Sequence, residues 1–139
     1  MEAVTSVLDA PCGDFNWQQD LDFGGQYLGL EIVPELVDAN CAEYASDHRQ
    51  FRLADIVHDT LPGADLVLCR ECLNHLPLAD ADRAIEHLVA AAGRLVASSL
   101  PEDISIIPHS ARYYTKCAEC SKLFRVVLLR AWCATLAGR

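Results

Sequence analysis

The run Val4-Thr5-Ser6-Val7-Leu8-Asp9-Ala10-Pro11-Cys12-Gly13-Asp14-Phe15 decides how this chain is read. Val4 to Ala10 is a β-branched and aliphatic stretch, as expected of a buried strand, and Pro11-Cys12-Gly13 ends it in a turn. Gly13 lets the backbone approach a ligand closely or take a positive φ. Asp9 and Asp14 place carboxylates beside that turn. Two acids suit a pyrophosphate poorly, because a pyrophosphate is held by bare backbone N–H groups at a helix N-terminus. They suit a ligand that carries an ammonium or sulfonium group. The three-glycine fingerprint of dinucleotide folds is also absent, since only Gly13 stands where three glycines are needed. Taken alone, one glycine after a strand fits an ordinary strand-to-helix turn equally well.

The elements that follow place this turn in a fold. Gln26 to Leu30 reads as a second strand, ended by Glu31, and Pro34 opens a helix to about Ala45 from a favoured first-turn position. Phe51 to Leu53 is a third, weaker strand. Ala64 to Cys69 is the clearest strand, introduced by Pro62-Gly63. Asp80 to Ala92 reads as a helix with Ile85, Leu88 and Val89 on one face and Gly93 as its stop. Arg94 to Ser98 makes a fifth strand, ended by Pro101. Alternating strands and helices imply an α/β domain with a mainly parallel sheet covered on both faces. In such a sheet ligands bind beyond the carboxyl ends of the strands, so the residues just after each strand carry the chemistry.

Glu31 follows the second strand, where a carboxylate can accept both hydrogen bonds of a ribose diol. An exposed acid at a strand end explains it equally. Asp55 and Ile56 follow the third strand: the acid can accept from an adenine amino group, with the aliphatic neighbour against the ring, or Asp55 can be a turn residue. After the fourth strand comes Cys69-Arg70-Glu71-Cys72-Leu73-Asn74-His75-Leu76. Arg70 or Glu71 can line a cofactor there, and Asn74 or His75 can face an acceptor. His75 is the one candidate for a general base. An exposed or structural histidine is the commoner case.

Bulk properties narrow the function classes. The 139 residues suffice for one domain. The 52% hydrophobic content indicates a packed core. A formal charge of −9 argues against a general nucleic-acid binder. Residues 1–108 hold 19 Asp and Glu against 5 Arg and no Lys, whereas residues 109–139 hold 6 Lys and Arg against Glu119 alone. That shift divides the chain into a regular domain, 1–108, and a basic, cysteine-bearing tail, 109–139. An odd count of 7 Cys and no signal segment at the start fit reduced thiols in the cytoplasm. No apolar run approaches the ~20 residues needed to span a bilayer. The apolar stretch Val126 to Leu129 can pair with another chain or finish the sheet.

The segment Val7 to Trp17 resembles the first motif of class I S-adenosylmethionine-dependent methyltransferases, in a subgroup with Asp-x-Pro-Cys-Gly-Asp-Phe in place of the common glycine-rich loop. Three further segments fit the same subgroup in order: Gly29 to Leu36, Ala54-Asp55-Ile56, and Ala64 to Leu76. The resemblance covers residues 4–102. It implies a Rossmann-like sheet of order 3-2-1-4-5, helices on both faces, and S-adenosylmethionine across strands 1 to 3. By resemblance, Asp9, Pro11 and Gly13 lie beside the methionine portion, with Asp14 close by. Glu31 holds the ribose, Ile32 meets the adenine, Asp55 and Ile56 meet it from the other side, and Arg70 stands at the pocket edge.

Relative to that family the chain reads as truncated at both ends. Covering helices before the first strand are missing, and a long segment with two further strands is expected after Pro101-Glu102, leaving the sheet incomplete at its C-terminal edge. Methyl transfer depends mainly on orienting the acceptor for in-line attack, so a truncated form has reduced or no activity. Two other readings stay open. One is a non-catalytic remnant of the fold. The other is a zinc- or thiol-binding module built from Cys69/Cys72 and Cys117/Cys120, two Cys-x-x-Cys pairs with four thiolates in all. The acids around Cys69/Cys72, Glu71 included, oppose thiolate formation there.

Overall fold

In a computed structural model, residues 3–99 and 125–130 are described. They form β1 (Ser6–Asp9), β2 (Gln26–Glu31), α1 (Pro34–Tyr44), β3 (Arg49–Leu53), β4 (Ala64–Arg70), a single 3-10 turn (Leu73–His75), α2 (Leu78–Ala91), β5 (Ala92–Ser99) and β6 (Arg125–Arg130). The strands make one sheet of order β3-β2-β1-β4-β5-β6. The first five are parallel, in the expected 3-2-1-4-5 order. β6 then runs antiparallel along β5, pairing Leu95 with Leu129 and Ala97 with Val127. Of the two strands expected beyond the fifth, the described residues thus include one. It comes from the segment past the change in composition.

Side-chain alternation divides the interior into two clusters on opposite faces of the sheet. Leu8, Leu30, Val67, Cys69, Leu95 and Ala97 point to one face, where α2 covers them with Ala84, Leu88 and Ala91. Val7, Tyr27 and Phe51 point to the other, beneath Val37 of α1 and Phe15. α2 binds because Ala81, Ala84, Ile85, Leu88 and Ala91 recur at helical spacing and are all buried. Pro34 stands in the first turn of α1, as the sequence indicates.

Two expectations change. Gly93 does not stop α2: the helix ends at Ala91, and Ala92 is already the first residue of β5. Gly93 instead lies within β5, where a Cβ would stand 2.9 Å from the carbonyl oxygen of Asp65 in β4. Its lack of a side chain serves strand packing. Nor does a helix follow β1. Residues 10–25 form consecutive turns, with a cis Ala10–Pro11 bond and positive φ at Gly13 and at Phe15. At the amino end, Asp65 Oδ2 accepts from the Thr5 N–H at 2.8 Å, the Thr5 hydroxyl at 2.7 Å and the Ser6 N–H at 3.1 Å, clamping β1 to β4.

Candidate functional site

β1 ends at Asp9, and the chain beyond it remains bonded to both neighbouring strands. Ala10 donates its N–H to the Leu68 carbonyl at 2.9 Å, and Cys12 donates to the Leu30 carbonyl at 2.8 Å. This carries the turn over the carboxyl ends of β1, β2 and β4, where the sheet reverses its winding direction. Asp9 itself is fully buried. Val7 pairs with Tyr27, so Tyr27 and Asp9 share a face, and the phenol leans along the strand to donate to Asp9 Oδ2 at 2.8 Å. Gln18 Nε2 donates to the same oxygen at 2.6 Å and to the Cys12 carbonyl at 3.3 Å. Asp9 Oδ1 and Gln18 Oε1 are buried without a partner. Burial pushes the Asp9 carboxyl up to about 6; the bonds from Gln18 and Tyr27 and the charge of Arg70 hold it back from rising further.

Glu31, at the end of β2, is buried and bonded to backbone on both oxygens. Oε2 accepts from Gly13 N–H at 3.1 Å, while Oε1 accepts from Ile32 N–H at 2.8 Å and Val33 N–H at 3.2 Å. On the far side of the turn, Asn40 of α1 donates to the Gly13 carbonyl at 2.8 Å. Gly13 is thereby held between an acid of β2 and an amide of α1. A carboxylate has about four acceptor sites. Three are filled, leaving roughly one for anything else.

The remaining sequence candidates sort by position. Asp9, Gly13 and Glu31 belong to one bonded cluster, with Pro11 half-buried between Asp9 and Gly13. Arg70, exposed at the end of β4, lays its guanidinium 4.7 Å from the ring centroid of Trp17. Asp55 shares the rim, because the neighbouring Ala54 N–H donates to the Glu31 carbonyl at 3.0 Å. Its side chain, however, caps its own turn, accepting from Val57 N–H at 2.8 Å and bonding His58 Nδ1 at 2.8 Å. Those bonds hold its carboxyl below the ordinary carboxylate value. Ile56 is buried in the α2-side cluster with Leu61 and Leu88. Ile32 is 57% exposed on the rim. Asp14 is exposed and takes the Asn16 N–H at 3.1 Å. His75 is exposed at the end of the 3-10 turn.

Sequence reasoning missed Gln18, Tyr27, Asn40 and Trp17. Tyr27 had the best available signal, since it lies in a recognised strand, but strand register is not written in a single run of residues. Gln18 and Trp17 lie in an irregular loop with no period to follow.

A surface hollow of about 290 Å³, lined by Asp20, Phe23, Tyr27, His48 and Arg49 among others, lies at the amino ends of β2 and β3. It is at the opposite end of these strands from the Asp9–Glu31 rim. The unpartnered Asp9 and Gln18 oxygens define the rim more sharply as a place for a donor. Among the described residues no group of three or more His, Cys, Asp or Glu is arranged to hold a metal. Cys117 and Cys120 of the second Cys-x-x-Cys pair lie outside the described residues. No helix among the described residues is long and apolar enough to cross a membrane.

No protein-family model matches the chain, and no curated protein matches it. Solved structures do. The N-methyltransferase NodS of Bradyrhizobium japonicum WM9, in complex with S-adenosyl-L-homocysteine, aligns at 21% identity over 69% of this chain and 53% of its own, with a TM-score of 0.61. Magnesium protoporphyrin IX methyltransferase (ChlM) of Synechocystis PCC 6803, with bound S-adenosylmethionine, aligns at 20% identity over 92% of this chain and 70% of its own, with a TM-score of 0.66. The [4+2]-cyclase SpnF aligns at 18% identity over 72% of this chain and 40% of its own, with a TM-score of 0.60. The chain thus spans about half the length of the first of these structures. At such identities the likeness establishes the fold alone: a Rossmann-like sheet shared with these proteins.

Proposed function

We propose that residues 1–108 bind S-adenosylmethionine over the carboxyl ends of β1 and β2 and form the core of an S-adenosylmethionine-dependent methyltransferase, with 109–139 an appended segment that supplies β6. One observation carries the reading. Asp9 Oδ2 and the Cys12 carbonyl converge on one nitrogen, the donor-only Gln18 Nε2. Beside it, Asp9 Oδ1 has no partner. Acceptors gathered around a donor position, one of them a buried carboxylate, fit the ammonium of the ligand's amino-acid portion. Gln18 occupies that position as an internal stand-in and leaves it when the ligand enters.

The other residues follow from the rim. Glu31 takes the ribose hydroxyls. With about one acceptor site free, it must release a backbone N–H to take two hydroxyls, and the bonds from Gly13 at 3.1 Å and Val33 at 3.2 Å are its two longest. Ile32 lies exposed where it can cover the adenine, and Asp55 stands at the next strand end. The Arg70–Trp17 pair closes the side toward β4. The cofactor contributes a methyl group activated by its sulfonium centre. The chain orients the two reactants, and His75, exposed beyond β4, is the candidate base. SpnF, a cyclase on the same fold, illustrates that the fold does not set the reaction at the acceptor side.

Calorimetric titration with S-adenosylhomocysteine, with NAD in parallel, tests the proposal. Saturable 1:1 binding of the first is expected, weakened at least about tenfold by Asp9→Asn (~1.4 kcal/mol). Gln18→Ala, which clears the donor position, is expected to bind more tightly than the parent. Preference for NAD, or affinity indifferent to Asp9→Asn in a folded variant, overturns the reading.

A further inference from the structure

Cys69 and Cys72 form a pair unlike the other described cysteines. Cys69 is 1% exposed at the end of β4, and Cys72 is half-buried as it enters the 3-10 turn and packs against the same core cluster. Between them Glu71 takes a φ of 49°, a left-handed conformation that turns the chain sharply after the strand. The turn carries Cys72 back against the same core cluster that holds Cys69, and each thiol perturbs the other's ionisation. Cys12, by contrast, is buried with Asp9 and Glu31 close by, and burial with those charges pushes its thiol up to about 12. Cys41 is exposed and donates its thiol to the Phe51 carbonyl, at 3.6 Å.

We infer that Cys69 and Cys72 constitute a thiol–disulfide exchange site at the edge of the candidate ligand rim, one that a low-molecular-weight disulfide such as oxidised glutathione closes into an intramolecular bond. The partly exposed Cys72 is the attacking group. The neighbouring Cys69 thiol draws the Cys72 thiol below the ordinary value, and the same interaction, with burial, raises Cys69. Nearby carboxylates work against ionisation: Glu31 acts on Cys72, and Asp9 and Glu71 act on Cys69. Beside Cys69, the Cys72 thiol is lowered despite Glu31, which reverses what the acidic surroundings alone suggest.

The chemistry balances in two steps. Cys72 thiolate attacks one sulfur of the oxidant, forming a mixed disulfide and expelling one glutathione thiolate, which takes up the proton that Cys72 lost. Cys69 then gives up its proton and attacks the Cys72 sulfur, expelling the second glutathione. The protein is oxidised by two electrons and the glutathione disulfide is reduced by two. Cys69 is the resolving thiol, shielded until its neighbour has reacted.

The sequence supplies a direct readout, because Arg70 lies between the two cysteines. Trypsin separates them into peptides 53–70 and 71–83, which stay joined only if Cys69 and Cys72 are bonded. The intact chain is treated with oxidised glutathione, alkylated, digested without reductant and analysed by mass spectrometry. The expected result is the joined pair, two hydrogens lighter than the summed peptides and abolished by dithiothreitol. Cys69→Ala is expected to accumulate glutathione on Cys72 instead. A parent chain in which Cys72 carries only glutathione, stays free while Cys41 is modified, or bonds to another cysteine overturns the inference. Because the readout is a covalent link, it stands whether or not the chain binds S-adenosylhomocysteine.

Discussion

The two faces of the sheet are built from different materials. Against α2, the interior is aliphatic: Leu8, Val67, Leu88 and Leu95 fill a layer between a regular helix and the strands. The opposite face is aromatic and polar. Phe15 is fully buried, with ring centroids 5.1 Å from each of Tyr27, Tyr44 and Phe51, and Asp9, Gln18 and Asn40 are buried around it. Its cover is shared between α1 and the irregular loop 10–25, which supplies Cys12 and Phe15. Aliphatic packing fixes the scaffold; a loop with buried polar groups can exchange internal partners for a ligand's. The separation teaches that stability and recognition are assigned to opposite sides of one sheet.

Truncating a large, fully buried residue on each side is the harshest test of that contrast. In urea unfolding Phe15→Ala is expected to cost about 3–5 kcal/mol and Leu88→Ala about 2–5 kcal/mol, through cavities in close-packed cores. Only Phe15→Ala should also weaken S-adenosylhomocysteine, since Phe15 supports the loop that carries Gly13. Equal loss of affinity in both folded variants would erase the distinction.

The next effect is one of sign. Asp9 has its folded carboxyl raised to about 6 from 3.8, so the folded chain holds that proton more tightly than the unfolded one. Its contribution is greatest below the unfolded value and declines as pH rises through the folded one. Across that window the parent should lose up to about 3 kcal/mol. Asp9→Asn should remove the decline and be the more stable protein near neutral pH, although it binds the adenosyl ligand worse. Ligand affinity should rise with pH through about 6, as the carboxylate forms. Denaturant midpoints and titrations across that range measure both trends.

Gly29→Ala adds one methyl between loop and sheet, 2.7 Å from a Phe51 ring carbon and 2.8 Å from Cys12 Sγ. Such overpacking is expected to cost about 1–3 kcal/mol. It should weaken the ligand too, because Cys12 immediately precedes Gly13. Trp17→Ala is the smallest change. Losing the exposed stack with Arg70 should cost about 0.5–1 kcal/mol of stability, with the greater consequence in ligand dissociation rate.

Much of the scaffold was legible because buried parallel strands are short aliphatic runs bounded by turn residues. Ala64 to Cys69 was read within one residue of β4, and Pro34 marked α1. Val126 to Leu129, able to finish the sheet or pair elsewhere, lies in β6. Gly93 misled because glycine has two uses: it can end a helix, or let two strands approach closely, and local sequence does not distinguish them. At the candidate site, acids after strands were visible, but their partners were not. The bonds from Tyr27 to Asp9 and from Gly13 to Glu31 depend on register and on the path of an aperiodic loop. Asp55 and Ile56 were placed correctly along the chain, yet the turn they begin directs one into its own cap and the other into the core.

The direct passage from α2 into β5 has one last consequence. With Ala91 helical and Ala92 already paired to Ala64, no spare residue separates the two elements. An insertion of a single amino acid there could be absorbed only by sliding β5 along β4, which would swap its inward and outward side chains, or by unwinding the end of the helix. Genetic length variation should therefore be purged at this junction and tolerated in the loop at 19–24, whose tip has no strand to displace.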